Sequence, residues 1–255
     1  MTTPVTVKPH AEPLSVDGGP VGVLLSHGFT GSPASMKPWG QDLADRGFTV
    51  RVPRLPGHGT TWQDLNGYGW DDWYGELDQA LTELRGRCDR VAVCGLSMGG
   101  ALALRLAELR PADVEALVVV NPVVGMMNWQ LRVLPVLKHA VPSLPGIGND
   151  IKKPGADEVG YIRTPLRALH SMVRTLPVLQ ADLGQVKAPT LVLRSTDDHV
   201  VDAASVELLR EGLKSEVAEF VTLTDSYHVA TLDFDAPLIF ERSATFITEH
   251  LGSPR

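Results

Sequence analysis

Long apolar runs, basic clusters and cysteines are scarce in this chain of 255 residues, and each shortage excludes a class of protein. No stretch approaches the roughly 18 uninterrupted apolar residues that a transmembrane helix requires. Residues 1–13 lack the apolar segment of a signal peptide. The net charge is −7 and no basic run is present, which argues against a nucleic-acid partner.

Only two cysteines are present, Cys88 and Cys94. They are six residues apart, one just before a predicted strand and one within it, and are therefore poorly placed to form a disulfide or a metal site. We expect two reduced thiols in a cytoplasmic protein that needs no metal and no other cofactor. The apolar and charged fractions, 44% and 21%, are those of an ordinary globular protein.

The most informative motif is Gly95-Leu96-Ser97-Met98-Gly99-Gly100, which lies between an apolar run and a run of helical periodicity. A G-x-S-x-G sequence between a buried strand and a helix is typical of the nucleophile elbow of α/β-hydrolases. The turn forces its central residue into a strained conformation, and glycines on either side avoid collisions with the neighbouring strand and helix. Ser97 is thus a candidate nucleophile; the alternative interpretation is a glycine-rich turn with an incidental serine.

A second glycine-rich turn, His27-Gly28-Phe29-Thr30-Gly31, follows an earlier buried strand. We assign the backbone N–H groups of Phe29 and Met98 as donors of an oxyanion hole, since one donor comes from such a loop and the other from the residue after the nucleophile. His27 is more consistent with a structural role under the turn than with that of a catalytic base, and we interpret His58 as a loop-fixing residue.

The repeated order of strand and helix predicts a mostly parallel central sheet with helices on both faces, the α/β-hydrolase fold, over a single domain spanning residues 1–255. This alternation stops at about residues 125–180, which predicts an inserted cap (lid). Its first part is apolar and rich in methionine, which suits an acyl chain, although the same residues could serve only to pack the cap. They are Met126, Met127, Trp129, Leu131, Val133, Leu134, Val136 and Leu137.

Three side chains that could form a catalytic triad follow the ends of predicted strands: Ser97, one of the pair Asp197 and Asp198, and His228. Their order along the chain is the hydrolase order. A serine needs a base at neutral pH, and the base needs an anionic partner that fixes its tautomer. Only one of the two aspartates can face His228. The strand end at which some hydrolases carry the acid holds the neutral Asn121 instead.

The chain resembles the bacterial monoacylglycerol lipases and related small carboxylesterases from about residue 19 to residue 243, most weakly at 122–146. The resemblance is carried by five segments besides the elbow: 19–25 with 27–31, 57–60, 147–150, 197–201 and 226–233. It implies Ser97, Asp198 and His228 as the triad. It also implies that Glu158 accepts hydrogen bonds from the glycerol hydroxyls, with Ile147 beside the glycerol; the alternative is a cap-fixing carboxylate and a packed aliphatic side chain.

The resemblance implies a serine hydrolase that cleaves monoacylglycerols to glycerol and free fatty acid through an acyl-enzyme intermediate. A carboxylesterase, lactonase or amidase would use the same triad on another substrate. A non-catalytic binding protein with this fold would not need an intact Ser, Asp and His set. The sequence leaves open whether the apolar rim of the cap contacts a membrane surface or a second copy of the chain in a homodimer.

Overall fold

The computed structural model describes residues 6–126 and 132–254. The strands are β1 (Leu14–Val16), β2 (Val21–Ser26), β3 (Thr49–Val52), β4 (Arg90–Leu96), β5 (Ala116–Val120), β6 (Ser143–Pro145), β7 (Arg163–Pro165), β8 (Thr190–Ser195) and β9 (Ala218–Leu223). The helices are α1 (Lys37–Asp45), α2 (Trp62–Leu65), α3 (Trp70–Arg85), α4 (Met98–Leu109), α5 (Leu134–Ala140), α6 (Leu166–Asp182), α7 (Ala204–Gly212) and α8 (Ala236–Leu251).

Seven strands form one sheet in the order β1-β3-β2-β4-β5-β8-β9. All neighbours are parallel except β1 and β3. The inner strands are continuous apolar runs because helices cover both of their faces. The prediction of a mostly parallel α/β-hydrolase sheet is confirmed.

Alternate residues of the inner strands enter two separate hydrophobic cores. In β4, Val91 and Val93 pack on the side of α3, α4 and α6, whereas Ala92 and Cys94 pack on the side of α1 and α8. The two cysteines are free and buried. The sheet is thus clamped between two helical layers, and its carboxyl edge is left for the loops that carry the candidate site.

In its described residues, the segment between β5 and β8 contributes no strand to the seven-stranded sheet. Among its described residues it contains α5, the antiparallel pair β6 and β7, and the long helix α6. Met127, Trp129 and Leu131, assigned from the sequence to the apolar part of the cap, lie outside the described residues. None of the helices in the described part of the chain is both long and apolar enough to cross a bilayer.

Candidate active site

The turn between β4 and α4 holds Ser97 in a conformation that few residues adopt, with φ 57° and ψ −118°. Its N–H donates to the carbonyl of Val120, and its carbonyl accepts from the N–H groups of Ala101 and Val123. A Cβ on Gly99 would lie 2.1 Å from the carbonyl oxygen of Ser26. Glycine is therefore required there, and the surrounding hydrogen bonds hold the strained serine in place.

A cavity of about 710 Å³ lies over this turn, with Ser97 and His228 both in its lining. The segment 125–180 supplies most of the remaining wall, and most of those residues are apolar. They include Met126, Leu134, Leu137, Leu144, Leu169 and Met172. The cavity thus joins a hydroxyl and an imidazole to a surface that suits a hydrocarbon chain.

The imidazole of His228 is paired with a buried carboxylate. Its Nδ1 lies 2.9 Å from Oδ2 of Asp198, whose other oxygen accepts the N–H groups of Val200 and Val201. Burial alone would raise the pKa of Asp198, but these hydrogen bonds and the charges of His228 and Arg194 outweigh it and lower that pKa to about 2. An ionised carboxylate can only accept, so Nδ1 of His228 carries a proton, and Nε2 is the nitrogen that bears the lone pair when the ring acts as a base.

Asp197, the other aspartate that the sequence offered as a triad acid, is exposed. It makes no hydrogen bond with His228 in the described part of the chain, whereas the side chain of Asp198 is fully buried against the ring. The structure therefore brings together Asp198 and His228, and places Ser97 with His228 on one cavity.

Two backbone N–H groups, those of Phe29 and Met98, have no acceptor among the described residues. Met98 is the first residue of α4, where backbone donors lack intrahelical partners. Gly28 lies close to the nucleophile turn, because a Cβ there would be 3.3 Å from Cβ of Ser97. Phe29 itself lines the cavity.

The loop that carries Phe29 is fixed from beneath by His27, which is buried. Its Nδ1 contacts the carbonyl of Gly28 at 3.0 Å, and its Nε2 accepts the N–H of Leu55. Burial lowers the pKa of His27 to about 4, so the ring is neutral at physiological pH. His58 is buried too, with its Nδ1 3.2 Å from the carbonyl of Pro56. Both histidines have the structural roles that the sequence favoured.

Glu158 reaches the cavity from the segment 125–180 with one oxygen already engaged. Its Oε1 accepts the N–H of Asn149 at 2.9 Å, and its own N–H donates to Oδ1 of Asn149. Oε2 has no partner among the described residues, and burial raises the pKa of this carboxyl. Ile147 lines the same cavity and is 60% exposed.

The described residues include no group of three or more His, Cys, Asp or Glu side chains placed to hold a metal ion. The cavity lining includes a strained serine and an imidazole held by a carboxylate, and backbone N–H groups without an acceptor lie nearby, in the loop after β2 and at the start of α4. These are the parts of an acyl-transfer site.

Comparison with known proteins places the chain in a family. The family model described as serine aminopeptidase S33 (Hydrolase_4) matches residues 21–235. The chain belongs to this S33 hydrolase family.

This S33-family chain is similar to a thermostable monoacylglycerol lipase of Bacillus sp. (strain H-257). The two are 39% identical over 95% of the chain and 96% of the relative. A carboxylesterase of Bacillus subtilis (strain 168) is 24% identical over 92% of the chain and 96% of that relative. A solved structure described as LipS and LipT, two metagenome-derived lipolytic enzymes, is 42% identical and superposes with a TM-score of 0.93, covering 96% of the chain and all of that structure. The resemblance stated from the sequence is confirmed.

Sequence reasoning assigned no role to three residues of this S33-family site. Asn121, at the end of β5 with φ 44°, donates from Nδ2 to the carbonyl of His228 at 2.8 Å and to Oγ of Ser195 at 2.9 Å. Its position at a strand end was noted, but only as a place where the acid was lacking. Asn121 instead orients the loop that carries the imidazole.

Asp150 is the second missed residue, and it joins the segment 125–180 to that same loop. Its Oδ2 accepts the N–H of His228, its carbonyl accepts the N–H of Val229, and its Oδ1 lies 2.8 Å from Nδ1 of His199. The resemblance included this position without giving it a role. The third missed residue is Arg194, on β8.

Proposed function

We propose that this S33-family hydrolase is a serine esterase that cleaves monoacylglycerols to glycerol and a free fatty acid, with Ser97, His228 and Asp198 as its triad. The observation that carries the proposal is the Asp198–His228 pair, with its ring on the same apolar cavity as Ser97. The similarity to a protein named monoacylglycerol lipase along almost the whole chain supports the substrate.

The first half of the reaction makes an acyl-enzyme. Nε2 of His228 takes the proton of the Ser97 hydroxyl as Oγ attacks the ester carbonyl, and Asp198 stabilises the imidazolium that forms. The N–H groups of Phe29 and Met98 hold the oxyanion, and each such donor is worth about 3 kcal/mol in the transition state. The imidazolium then returns its proton to the leaving glycerol oxygen.

In the second half of the reaction, water hydrolyses the acyl-enzyme and releases the fatty acid. His228 takes a proton from water, the hydroxide attacks the acyl carbon, and the bond to Oγ breaks as Ser97 recovers its proton. No step of this mechanism requires a cofactor.

The cavity also supports a division of the substrate between its two parts. The apolar wall from residues 125–180 would take the acyl chain, and this segment would act as the cap of the domain. Glu158 would accept hydrogen bonds from the glycerol hydroxyls through its free Oε2, and Ile147 would lie beside the glycerol.

The cap is also where we propose transient contact with a lipid surface. Several of its apolar side chains are exposed, among them Val133, Val136, Leu144 and Ile162. A cytoplasmic location belongs to the same proposal, with the free thiols of Cys88 and Cys94 as its support.

The alternative substrate class is a simpler ester, as in a short- or medium-chain carboxylesterase. The observation in its favour is the similarity to the Bacillus subtilis carboxylesterase, which extends over nearly the whole of both chains. A chain-length series of monoacylglycerols, measured against di- and triacylglycerols and against methyl esters of the same acids, separates the two. A preference for acetyl over decanoyl esters with no preference for glycerol would support the carboxylesterase.

The role of Ser97 is tested by Ser97→Ala. We expect turnover of a monoacylglycerol to fall by about 10⁴- to 10⁶-fold, because residues of a triad act as one unit. A fluorophosphonate probe should label the wild-type chain at Ser97 and leave the variant unlabelled. Ordinary turnover by the folded variant would end the proposal.

A further inference from the structure

A guanidinium sits on the far side of the candidate triad acid. Arg194 lies near the end of β8, and its side chain is 16% exposed. Its Nη1 donates to Oδ2 of Asp198 and lies 3.3 Å from Oδ1 of Asn121, while its Nη2 donates to the carbonyl of Val201 at 2.5 Å. The guanidinium thus contacts Asp198, Asn121 and the backbone of Val201 at the same time.

The carboxylate oxygen that Arg194 contacts is the same one that accepts from the imidazole. Oδ2 of Asp198 receives both Nη1 of Arg194 and Nδ1 of His228. An imidazolium at residue 228 therefore faces a carboxylate whose charge is already partly balanced by a cation, rather than a free anion. Because both partners are shielded from water, that balance is weakly screened.

The other charged groups around the ring make this balance consequential. Asp150 accepts the backbone N–H of His228 and is itself paired with the exposed His199. Glu158, buried on the cavity, interacts with His228 through its charge. With Asp198, these carboxylates favour a protonated ring, which cannot act as a base. Arg194, which contacts Asp198 directly, has the opposite effect and disfavours the protonated ring.

We propose that Arg194 is a positioning residue that fixes the Asp198 carboxylate and sets the acid limit of activity, keeping the His228 base unprotonated to lower pH than the carboxylates alone would allow. This inference rests on the proposed triad. A residue with only a structural role would affect the amount of folded enzyme and its turnover, but not the pH at which activity is lost.

The test is the pH profile of kcat/KM on p-nitrophenyl butyrate for Arg194→Met and Arg194→Lys. In Arg194→Met the acid limb should move to higher pH by roughly 0.5–1 pH unit, because loss of a neighbouring positive charge favours the protonated ring. Arg194→Lys keeps the positive charge but loses the planar guanidinium that binds several acceptors at once. The acid limb of its pH profile should therefore stay near that of the wild type, while the maximal kcat/KM falls. Arg210→Met is the matched control, since Arg210 stacks on Phe220 and should leave the limb in place.

The midpoint of the limb does not depend on the fraction of active enzyme, so a partly unfolded Arg194→Met preparation still gives a valid answer. Fluorophosphonate titration of active sites gives the plateau value per folded molecule. An acid limb in Arg194→Met that is unmoved, or moved to lower pH, overturns the inference. So does a shift in Arg194→Lys as large as that in Arg194→Met. Both outcomes differ from failure of the triad itself, in which Ser97→Ala would retain activity.

Discussion

At the scale of single residues, Glu158 shows how a carboxylate can be held and still be available. Its Oε1 and its backbone N–H are both used by Asn149, and Oγ of Ser32 donates to its carbonyl. These contacts fix the direction of the side chain, and Oε2 is left for a ligand. A hydrogen bond to a charged acceptor is roughly twice as strong as one to a neutral acceptor.

Replacing Glu158 with Gln tests whether that oxygen recognises glycerol. The amide oxygen can still accept from Asn149, so the loop should keep its shape, but the charged acceptor is lost. We expect KM for a monoacylglycerol to rise about fivefold, from a loss of about 1 kcal/mol, with kcat little changed. Hydrolysis of the methyl ester of the same fatty acid is the control and should be unaffected. Equal effects on both esters would show that Glu158 only fixes the cap.

The site residues that the sequence could predict are those tied to strand ends and turns. Ser97 is marked by its glycines, and His228 by its place after the last strand; the aspartate pair is marked in the same way, although the choice of Asp198 came from the resemblance. Asn121 and Arg194 could not be assigned roles, because those roles depend on which strands are neighbours. The adjacency of β5 and β8 brings the two side chains within 3.3 Å of each other, and no local pattern encodes that contact.

At the scale of elements, helix α4, which follows the nucleophile, contains a buried carboxyl group that lowers the stability of the fold when it is ionised. The side chain of Glu108 is fully buried in its last turn. Arg105 binds it at 2.7 Å but shares the same nitrogen with Asp182 at the end of α6, and Oε1 of Glu108 has no partner among the described residues. Burial outweighs the attraction of Arg105 and raises the pKa of Glu108 to about 7.

Glu108→Gln should therefore change stability in a pH-dependent way. A carboxyl whose folded-state pKa is raised binds its proton more tightly when folded, so its contribution is most favourable below pH 4.5 and declines as pH rises towards about 7. Compared with the wild type, the variant should be more stable by about 1–2 kcal/mol at pH 8 and no more stable at pH 4. Thermal unfolding at several pH values measures this difference.

Glu219→Gln, which removes an exposed pair with Arg242, is the control and should change little at any pH. A Glu108→Gln variant that is less stable than the wild type at pH 8 would show instead that the Arg105–Glu108 pair is a net stabilising ion pair.

Elements differ in how well the sequence predicts them, for physical reasons. Inner strands such as β2 and β5 are short continuous apolar runs, because both of their faces are covered, and they were predicted within one or two residues. Helix α6 was not predicted, although Leu166, Met172, Leu176 and Leu179 lie on its buried face. Pro177 lies within the helix, at a position that local preference disfavours, so tertiary packing overrides that preference.

At the scale of the whole molecule, charge is unevenly distributed. Residues 125–180 carry seven basic and three acidic side chains, a net charge of +4 in a chain whose total is −7, so the rest carries −11. The same segment exposes apolar side chains, with Val136 77% and Ile162 82% exposed, and Leu144 and Ile147 exposed at the cavity. This cationic, partly apolar segment lines the cavity that we propose binds the acyl chain, and it would complement an anionic lipid surface, which would attract this segment and repel the rest of the protein.

We therefore expect the protein to co-sediment with vesicles containing phosphatidylglycerol, and much less with vesicles of phosphatidylcholine alone. Binding should weaken as salt is raised, because each basic residue near such a surface contributes about 1 kcal/mol and is screened within a Debye length. Reversing two cap charges, in Arg132→Glu with Lys138→Glu, should lower the apparent affinity at least about tenfold. Lys214→Glu makes half that change in net charge before β9, at the opposite edge of the sheet, and should bind almost as the wild type does.

Binding that does not depend on lipid charge, or equal losses of affinity in the cap and Lys214 variants, would refute the electrostatic account. A mass that doubles with concentration and returns to that of one chain in Val136→Glu would show that a second copy covers this surface instead.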